Sequence, residues 1–432
     1  MELRESILET LKKEVMPATG CTEPVAIALA AAAAAEQLEG EAVLRLSVHL
    51  SPNVFKNALG VGIPNCPDTG LDMAAALGMA LADSSQGLKL LGEVTPQVLE
   101  KAQSALRAGR VTVHLADTEE KILILAQAAS ETHRAEATIL GRHDFFTRIE
   151  KDGVVLVSAT PDSGAPSDPA EQVYASTVAA LISAIESIEP ENLEFLLEGL
   201  TMNRAAAAYG LANRSGLAVG ATLQDQIDKG MLAMDVMNLA TVLTAAASDA
   251  RMSGAGLPVM SSNGSGNNGL TAVLPLAAYG QLFQTAPDRM AKALAISHIL
   301  NCYIKRRIGR LSSMCGCSIA AGTGAGAALS WLMDGSMDAI ESTIQNMIAN
   351  VSGMICDGAK EGCALKLSTS ASVAVKSALL GSGRCQVPAH NGIIGSTVEE
   401  TIENLGRLSH EGMKITDQVI LKIMAGMVLP SH

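Results

Sequence analysis

The chain has 432 residues, enough for two or three domains, and 48% of them are hydrophobic, which supports globular packing and excludes a disordered polymer. Aromatics make up only 2%, so the apolar content is small and aliphatic, which favours close-packed helices over aromatic stacking platforms. Against 31 basic residues stand 44 acidic ones, for a net charge of −13, and no basic block is longer than Lys305-Arg306-Arg307; the field repels phosphate backbones and excludes nucleic acid as a partner.

Glu2 and Glu5 stand where a signal peptide needs basic and then apolar residues, and no uncharged apolar run is long enough to span a bilayer. A cytoplasmic protein without a membrane partner is expected. The pattern predicts an opening helix over residues 7–15, then the loop Gly20-Cys21-Thr22-Glu23-Pro24 feeding an Ala-rich helix to residue 38, with Pro24 suited to a first turn. Apolar alternation predicts strands over 42–50, 111–115, 122–125, 146–149 and 154–158, the last two forming a hairpin about Asp152-Gly153. The breaker-rich stretch 161–169 reads as a domain boundary. Beyond it the pattern is of long Ala, Leu, Met and Ile helices. The expected fold is therefore α+β: an α/β domain over residues 1–165 and a mostly α-helical domain over 170–432.

Four segments carry polar chemistry. Cys21 stands immediately before a helix, where free N–H groups and the dipole lower a thiol pKa, so it is a candidate reactive cysteine as well as a candidate small core residue. Asn53, Lys56 and Asn57 follow the first confident strand and together suit a small carboxylate, though an ordinary polar turn explains them too. Gly264-Ser265-Gly266-Asn267-Asn268-Gly269 matches a dinucleotide pattern, but the sequence before it is helical in character, so the match is read as false. The loop can still offer N–H groups to a carboxylate, and nearby Arg251 adds either a guanidinium or a salt-bridge partner for Asp249.

Eight cysteines in a reducing compartment are buried small residues, metal ligands or reactive thiols rather than disulfides. No zinc-finger spacing is present, and the histidines form no HxxxH or HExxH arrangement. Cys315, Cys356 and Cys363 are grouped in the C-terminal third; three thiolates are one short of closing a four-iron cluster and would leave one iron open to substrate.

Taken in order, the Gly20–Pro24 loop, the Ser51-Pro52-Asn53 and Lys56-Asn57 segment, residues 248–256, the Ser262–Asn267 loop and residues 352–359 resemble the L-cysteine desulfidase family, related to the alpha chain of iron–sulfur L-serine dehydratases. The resemblance runs over nearly the whole chain. It implies that Cys315, Cys356 and Cys363 hold a 4Fe-4S cluster with one iron not ligated by cysteine, and that Cys21 corresponds to the thiol proposed as base. It further implies a small amino-acid substrate, with Asn53, Lys56, Asn57, Arg251, Asn263, Ser265, Asn267 and Ser368 as candidate binding residues and the active site at the domain interface. Cys317 is either a spare thiol or an alternative to Cys315. The last residues hold no cysteine, whereas some related serine dehydratases place one there, which tilts the reading toward desulfidase over L-serine dehydration. A pyridoxal phosphate lyase using Lys56 leaves the three cysteines unexplained, and a non-catalytic iron–sulfur or interaction protein leaves the polar loops unexplained. The oligomeric state stays open, a homodimer included.

Overall fold

The computed structural model describes residues 2–160, 170–333 and 335–428; the predicted boundary at 161–169 and the last four residues lie outside them. The fold is α+β, a mixed sheet with helices in the N-terminal part and a nearly all-helical remainder. The N-terminal elements are α1 (Leu3–Glu14), β1 (Pro17–Thr19), α2 (Thr22–Glu36), β2 (Arg45–Leu50), α3 (Pro52–Ala58), α4 (Leu71–Leu81), α5 (Pro96–Arg107), β3 (Val111–Leu115), β4 (Leu123–Ala129), β5 (Arg134–Leu140), β6 (Phe146–Lys151) and β7 (Val154–Ser158).

Six strands form one sheet in the order β3-β2-β4-β5-β6-β7, parallel between β2 and β3 and antiparallel elsewhere. Alternate residues of the central strands, Leu46, Val48, Leu50, Ile124, Ala126, Ala137 and Ile139, are buried in one core with α2 and α4. The polyalanine run of α2 lets α4 approach very closely: a Cβ at Gly78 would stand 2.0 Å from the Ala28 carbonyl oxygen. Between β6 and β7, Asp152 and Gly153 both have positive φ (49° and 81°), the primed-turn conformation that the Asp-Gly pair announces.

After the boundary come α6 (Ala170–Ala175), α7 (Val178–Glu186), α8 (Glu198–Asn213), α9 (Val219–Asp228), α10 (Val236–Met252), β8 (Pro258–Met260), α11 (Gly266–Phe283), α12 (Pro287–Ile308), α13 (Gly322–Met333), α14 (Met337–Val351), α15 (Cys363–Ser382), α16 (Val398–Arg407) and α17 (Lys414–Val428). Helices α12, α13, α14 and α15 pack through one aliphatic core that includes Leu294, Ile299, Leu329, Ile344 and Val375. Helix α1 joins this core rather than the sheet, burying Ile7 and Leu11 among Val178, Leu181 and Ile304. Among the described helices only α15 is long and apolar enough to cross a bilayer, and half of that stretch is buried within the protein.

Candidate active site

Four short backbone seams draw distant segments to one place. Strands β1 and β8 pair antiparallel, Pro17 opposite Met260 and Thr19 opposite Pro258, so the Ser262–Asn267 loop leaves beside the start of β1, its Asn263 N–H donating to Glu14 O at 2.9 Å, and Arg251 ties Asn267 to Gly20 at the other end of this short ladder. Residues 60–62 lie along two partners: Gly60 bridges Lys360, and the Gly62 N–H donates to the Met252 carbonyl at 2.9 Å. Gly62 packs so tightly there that a Cβ would stand 2.4 Å from the Gly254 nitrogen. Finally, Met314 bridges Ile355, with the Cys315 N–H donating to Met354 O (2.9 Å) and the Cys356 N–H to Ser313 O (2.7 Å). This last seam sets Cys315 beside Cys356, and the tight turn after Cys356 returns the chain to Cys363 at the start of α15.

The thiols therefore gather. Cys315 is buried and Cys317, Cys356 and Cys363 are half-buried, with Cys315, Cys356 and Cys363 within electrostatic reach of one another. Cys317 opens a π-helical turn, Cys317–Ala321, that runs into α13, a local irregularity often found at functional sites. Its S–H donates to Cys315, which draws the Cys315 thiol down to about 6 and pushes Cys317 well up. Burial raises Cys356, with Lys56 opposing it, and raises Cys363 to about 11. Among the described residues, no three His, Cys, Asp or Glu side chains converge on a single metal ion.

Four lysines surround these thiols. Lys305 is buried on α12 and faces Cys317, Cys356 and Cys315, its ammonium donating to the Arg310 carbonyl and burial lowering its pKa. Lys366 donates to Ile355 O (2.8 Å) and, like Lys360, pairs with Asp357; against the upward pull of burial, the two lysines hold the Asp357 carboxyl down at about 2. Lys56 is 1% exposed and its ammonium meets Asp417 of α17 at 2.5 Å.

Cys21 packs with Val61 and Met252 against Cys363. It caps α2, but burial outweighs the helix start and raises its thiol to about 12, Arg251 opposing the rise. Arg251 is a clamp: Nη1 donates to Asn267 Oδ1 (3.0 Å) and Nη2 to Gly20 O (2.9 Å), while its buried Nε has no partner. It does not pair with Asp249, whose carboxylate accepts from the Gly220 N–H at 2.9 Å.

The remaining candidates divide. Asn57 donates to Glu23 Oε1 (3.0 Å), tying α3 to the Cys21 loop. Asn53 and Asn263 are buried, each with Oδ1 unpartnered. Ser265 caps α11 by accepting from the Asn268 N–H, and Ser368 lies half-buried on α15. Segment 52–58, expected as a strand end or turn, is helical. The glycine loop lies between β8 and α11, yet among the described residues β8 pairs only with β1, antiparallel, and is not part of the parallel sheet that a dinucleotide site needs. Sequence reasoning missed Lys305, hidden in a basic run that reads as solvated, and Asp417, for which no local signal exists.

Fold and site together define an α+β protein whose N-terminal loops and C-terminal helices converge on a buried, lysine-ringed thiol group. The chain belongs to the serine dehydratase alpha chain family, whose model matches residues 85–422, and so stands among lyase-type proteins of amino-acid catabolism. It is similar along its whole length to UPF0597 proteins: 49% identical over 424 residues to that of Clostridioides difficile, covering 97% of this chain and 99% of the relative. The UPF0597 protein of Alkaliphilus oremlandii is 47% identical over 427 residues, covering 99% of each. The family match takes in Cys315, Cys356 and Cys363 but begins after Cys21 and Lys56, which only the whole-length relatives span.

Proposed function

We propose that the protein is an iron–sulfur L-cysteine desulfidase: L-cysteine loses sulfide and the Cα proton to give aminoacrylate, which water converts to pyruvate and ammonia. One observation carries the reading, the assembly of Cys315, Cys356 and Cys363 beside Cys21 within a lysine ring. The residues fit a four-iron cluster. Such a cluster needs thiols spread around a cube rather than converged on a point, and the ring of lysines supplies the opposing charge that buried thiolates require. Cys315, Cys356 and Cys363 would hold it, and when bound it supplies an iron without a cysteine ligand, a Lewis acid for the amino acid.

The chain's own residues then divide the work. Arg251 fixes the Gly20-Cys21 loop against the Asn267 loop, which sets the position of the Cys21 sulfur. Cys21 is the proposed base for the Cα proton. Because burial holds it as a thiol, it must first lose its proton, and Arg251 is the nearby charge that favours that loss. Candidate donors and acceptors for the carboxylate and amino groups are Lys56, Asn53, Asn57, Asn263, Ser265, Asn267 and Ser368.

L-Serine dehydration at the same site is the second reading, favoured by the family match itself. Anaerobically purified protein should carry iron and acid-labile sulfide that Cys356→Ala loses, and should form sulfide and pyruvate from L-cysteine faster than pyruvate from L-serine. Iron at background in the anaerobic wild type would sink the cluster, and undiminished turnover by Cys21→Ala would remove the base role.

A further inference from the structure

Lys56 is a nearly fully buried ammonium on a helix of seven residues, directly beneath the Cys356–Cys363 loop: a Cβ on Gly358 would stand 2.1 Å from the Lys56 carbonyl oxygen. Its carboxylate partner comes from 361 residues away, Asp417 on α17, and Asp417 is 20% exposed where Lys56 is 1%. A carboxylate of the chain thus reaches a cation at the thiol site from the solvent side.

We propose that Asp417 is a resident stand-in for the substrate carboxylate, and that the Lys56 subsite opens to a small α-amino acid when α17 lifts. This rests on the lyase reading above and gives it a carboxylate subsite. The other cationic candidate is already engaged: both terminal nitrogens of Arg251 hold Gly20 O and Asn267 Oδ1, within the frame of the site. Asn57 is likewise committed to Glu23. Lys56 differs, since its partner sits on an element that can leave.

Asn53 completes the match. It lies three residues before Lys56, on the same face of α3, and is buried with Oδ1 unpartnered. An ammonium donor set against an amide acceptor is complementary to a zwitterion: carboxylate to Lys56, amino group to Asn53. The internal Asp417 satisfies the first and leaves the second orphaned, as a carboxylate lacking an α-amino group would.

Helix α17 suits the role of a cover. Ile420 and Leu421 face inward, whereas Ile415, Val419 and Ile423 are 72%, 47% and 54% exposed along its outer side. It follows a π-helical turn, Leu408–Gly412, and packs mainly on that turn and on α3. Detaching it breaks the Lys56–Asp417 pair, a solvent-exposed Lys414–Glu119 pair at 4.0 Å and a modest apolar contact.

The test uses anaerobically purified holoprotein and two probes, L-alanine, which keeps both charged groups but has no leaving group, and L-alaninamide, which lacks the carboxylate. In wild type, L-alanine and not L-alaninamide is expected to speed amide exchange across α17 several-fold. Asp417→Asn should bind L-alanine about tenfold tighter or more by calorimetry, since a competing charged contact is gone. A structural staple gives the reverse, a lower thermal midpoint with unchanged or weaker binding and no exchange response, and overturns the proposal. Should Asp417→Asn fail to fold, the wild-type exchange experiment decides. Failure of L-alanine to bind either form also overturns it. If L-alanine loosens α17 but neither L-cysteine nor L-serine yields pyruvate, the lyase reading falls and the Asp417 assignment stands.

Discussion

The Gly358→Ala substitution tests whether the turn between Cys356 and Cys363 is what holds two thiols at the site. Gly358 has φ +89°, and a methyl there would meet the Lys56 carbonyl oxygen at 2.1 Å and its carbon at 3.0 Å. Because the obstacle is backbone on a packed helix, relief requires the turn itself to move by about 1 Å to reach ordinary contact. The left-handed backbone costs a β-carbon residue roughly 1–2 kcal/mol, and overpacking adds roughly 1–3 kcal/mol. The sum, about 2–5 kcal/mol, should appear as a lower urea midpoint, or as a displaced loop that separates Cys356 and Cys363 from Cys315 and loses iron. Gly353, a few residues earlier, is the control: its φ is ordinary and nothing lies within 4 Å of a Cβ there, so Gly353→Ala should change stability by no more than about 0.5 kcal/mol. Unfolding and iron content would be measured on both variants under anaerobic conditions. Gly358→Ala with the midpoint and iron of Gly353→Ala would refute the reasoning.

Burial raises the Asp249 carboxyl from 3.8 to about 6. Between those values the folded state holds a proton that the unfolded chain has released, so stability falls as pH rises through the window and the full penalty, of order 3 kcal/mol, stands above pH 6. Asp249→Asn keeps the acceptor for the Gly220 N–H and should gain up to that amount at pH 7 and almost nothing at pH 4, read from urea midpoints. For Arg251→Lys, a single ammonium cannot span Gly20 O and Asn267 Oδ1; kcat/KM for L-cysteine should drop about tenfold or more with circular dichroism unchanged. Cys315→Ser should lose iron and Cys317→Ser should retain it, because the Cys317 thiol serves as donor to the more acidic Cys315; iron assays on the paired variants check the order.

Most of the secondary structure was legible because it rests on local pattern. The β6–β7 hairpin turns on Asp152-Gly153, and Val111–Leu115 is the predicted strand. Strand β5 was not, since Arg134–Leu140 mixes alanines with charged and polar residues and has little strand propensity of its own; its place comes from pairing with β4 and β6. The gathering of the thiols depends on seams between residues far apart, Met314 with Ile355 and Pro17 with Met260, which no local pattern encodes. At Cys21 the sequence argument had the sign reversed. A helix start is worth up to about 1 kcal/mol, whereas the move from 9 to about 12 corresponds to roughly 4 kcal/mol, so desolvation wins.

The lysines explain why the site needs both ends of the chain. Thiolates in a buried pocket are tolerated only with charges of opposite sign nearby, and the helical half brings Lys305, Lys360 and Lys366. Two of these are already shared with the Asp357 carboxylate, which reduces what they can offer the sulfurs. Lys56, from the N-terminal half, opposes the burial of Cys356 and is itself buried, so its charge acts through protein rather than water. Pairing it with Asp417 places an opposing charge beside it and reduces that benefit. Whatever draws Asp417 away and leaves its place to a ligand therefore changes the field at Cys356 as well as the occupancy of Lys56, which ties the state of α17 to the electrostatics of the thiols.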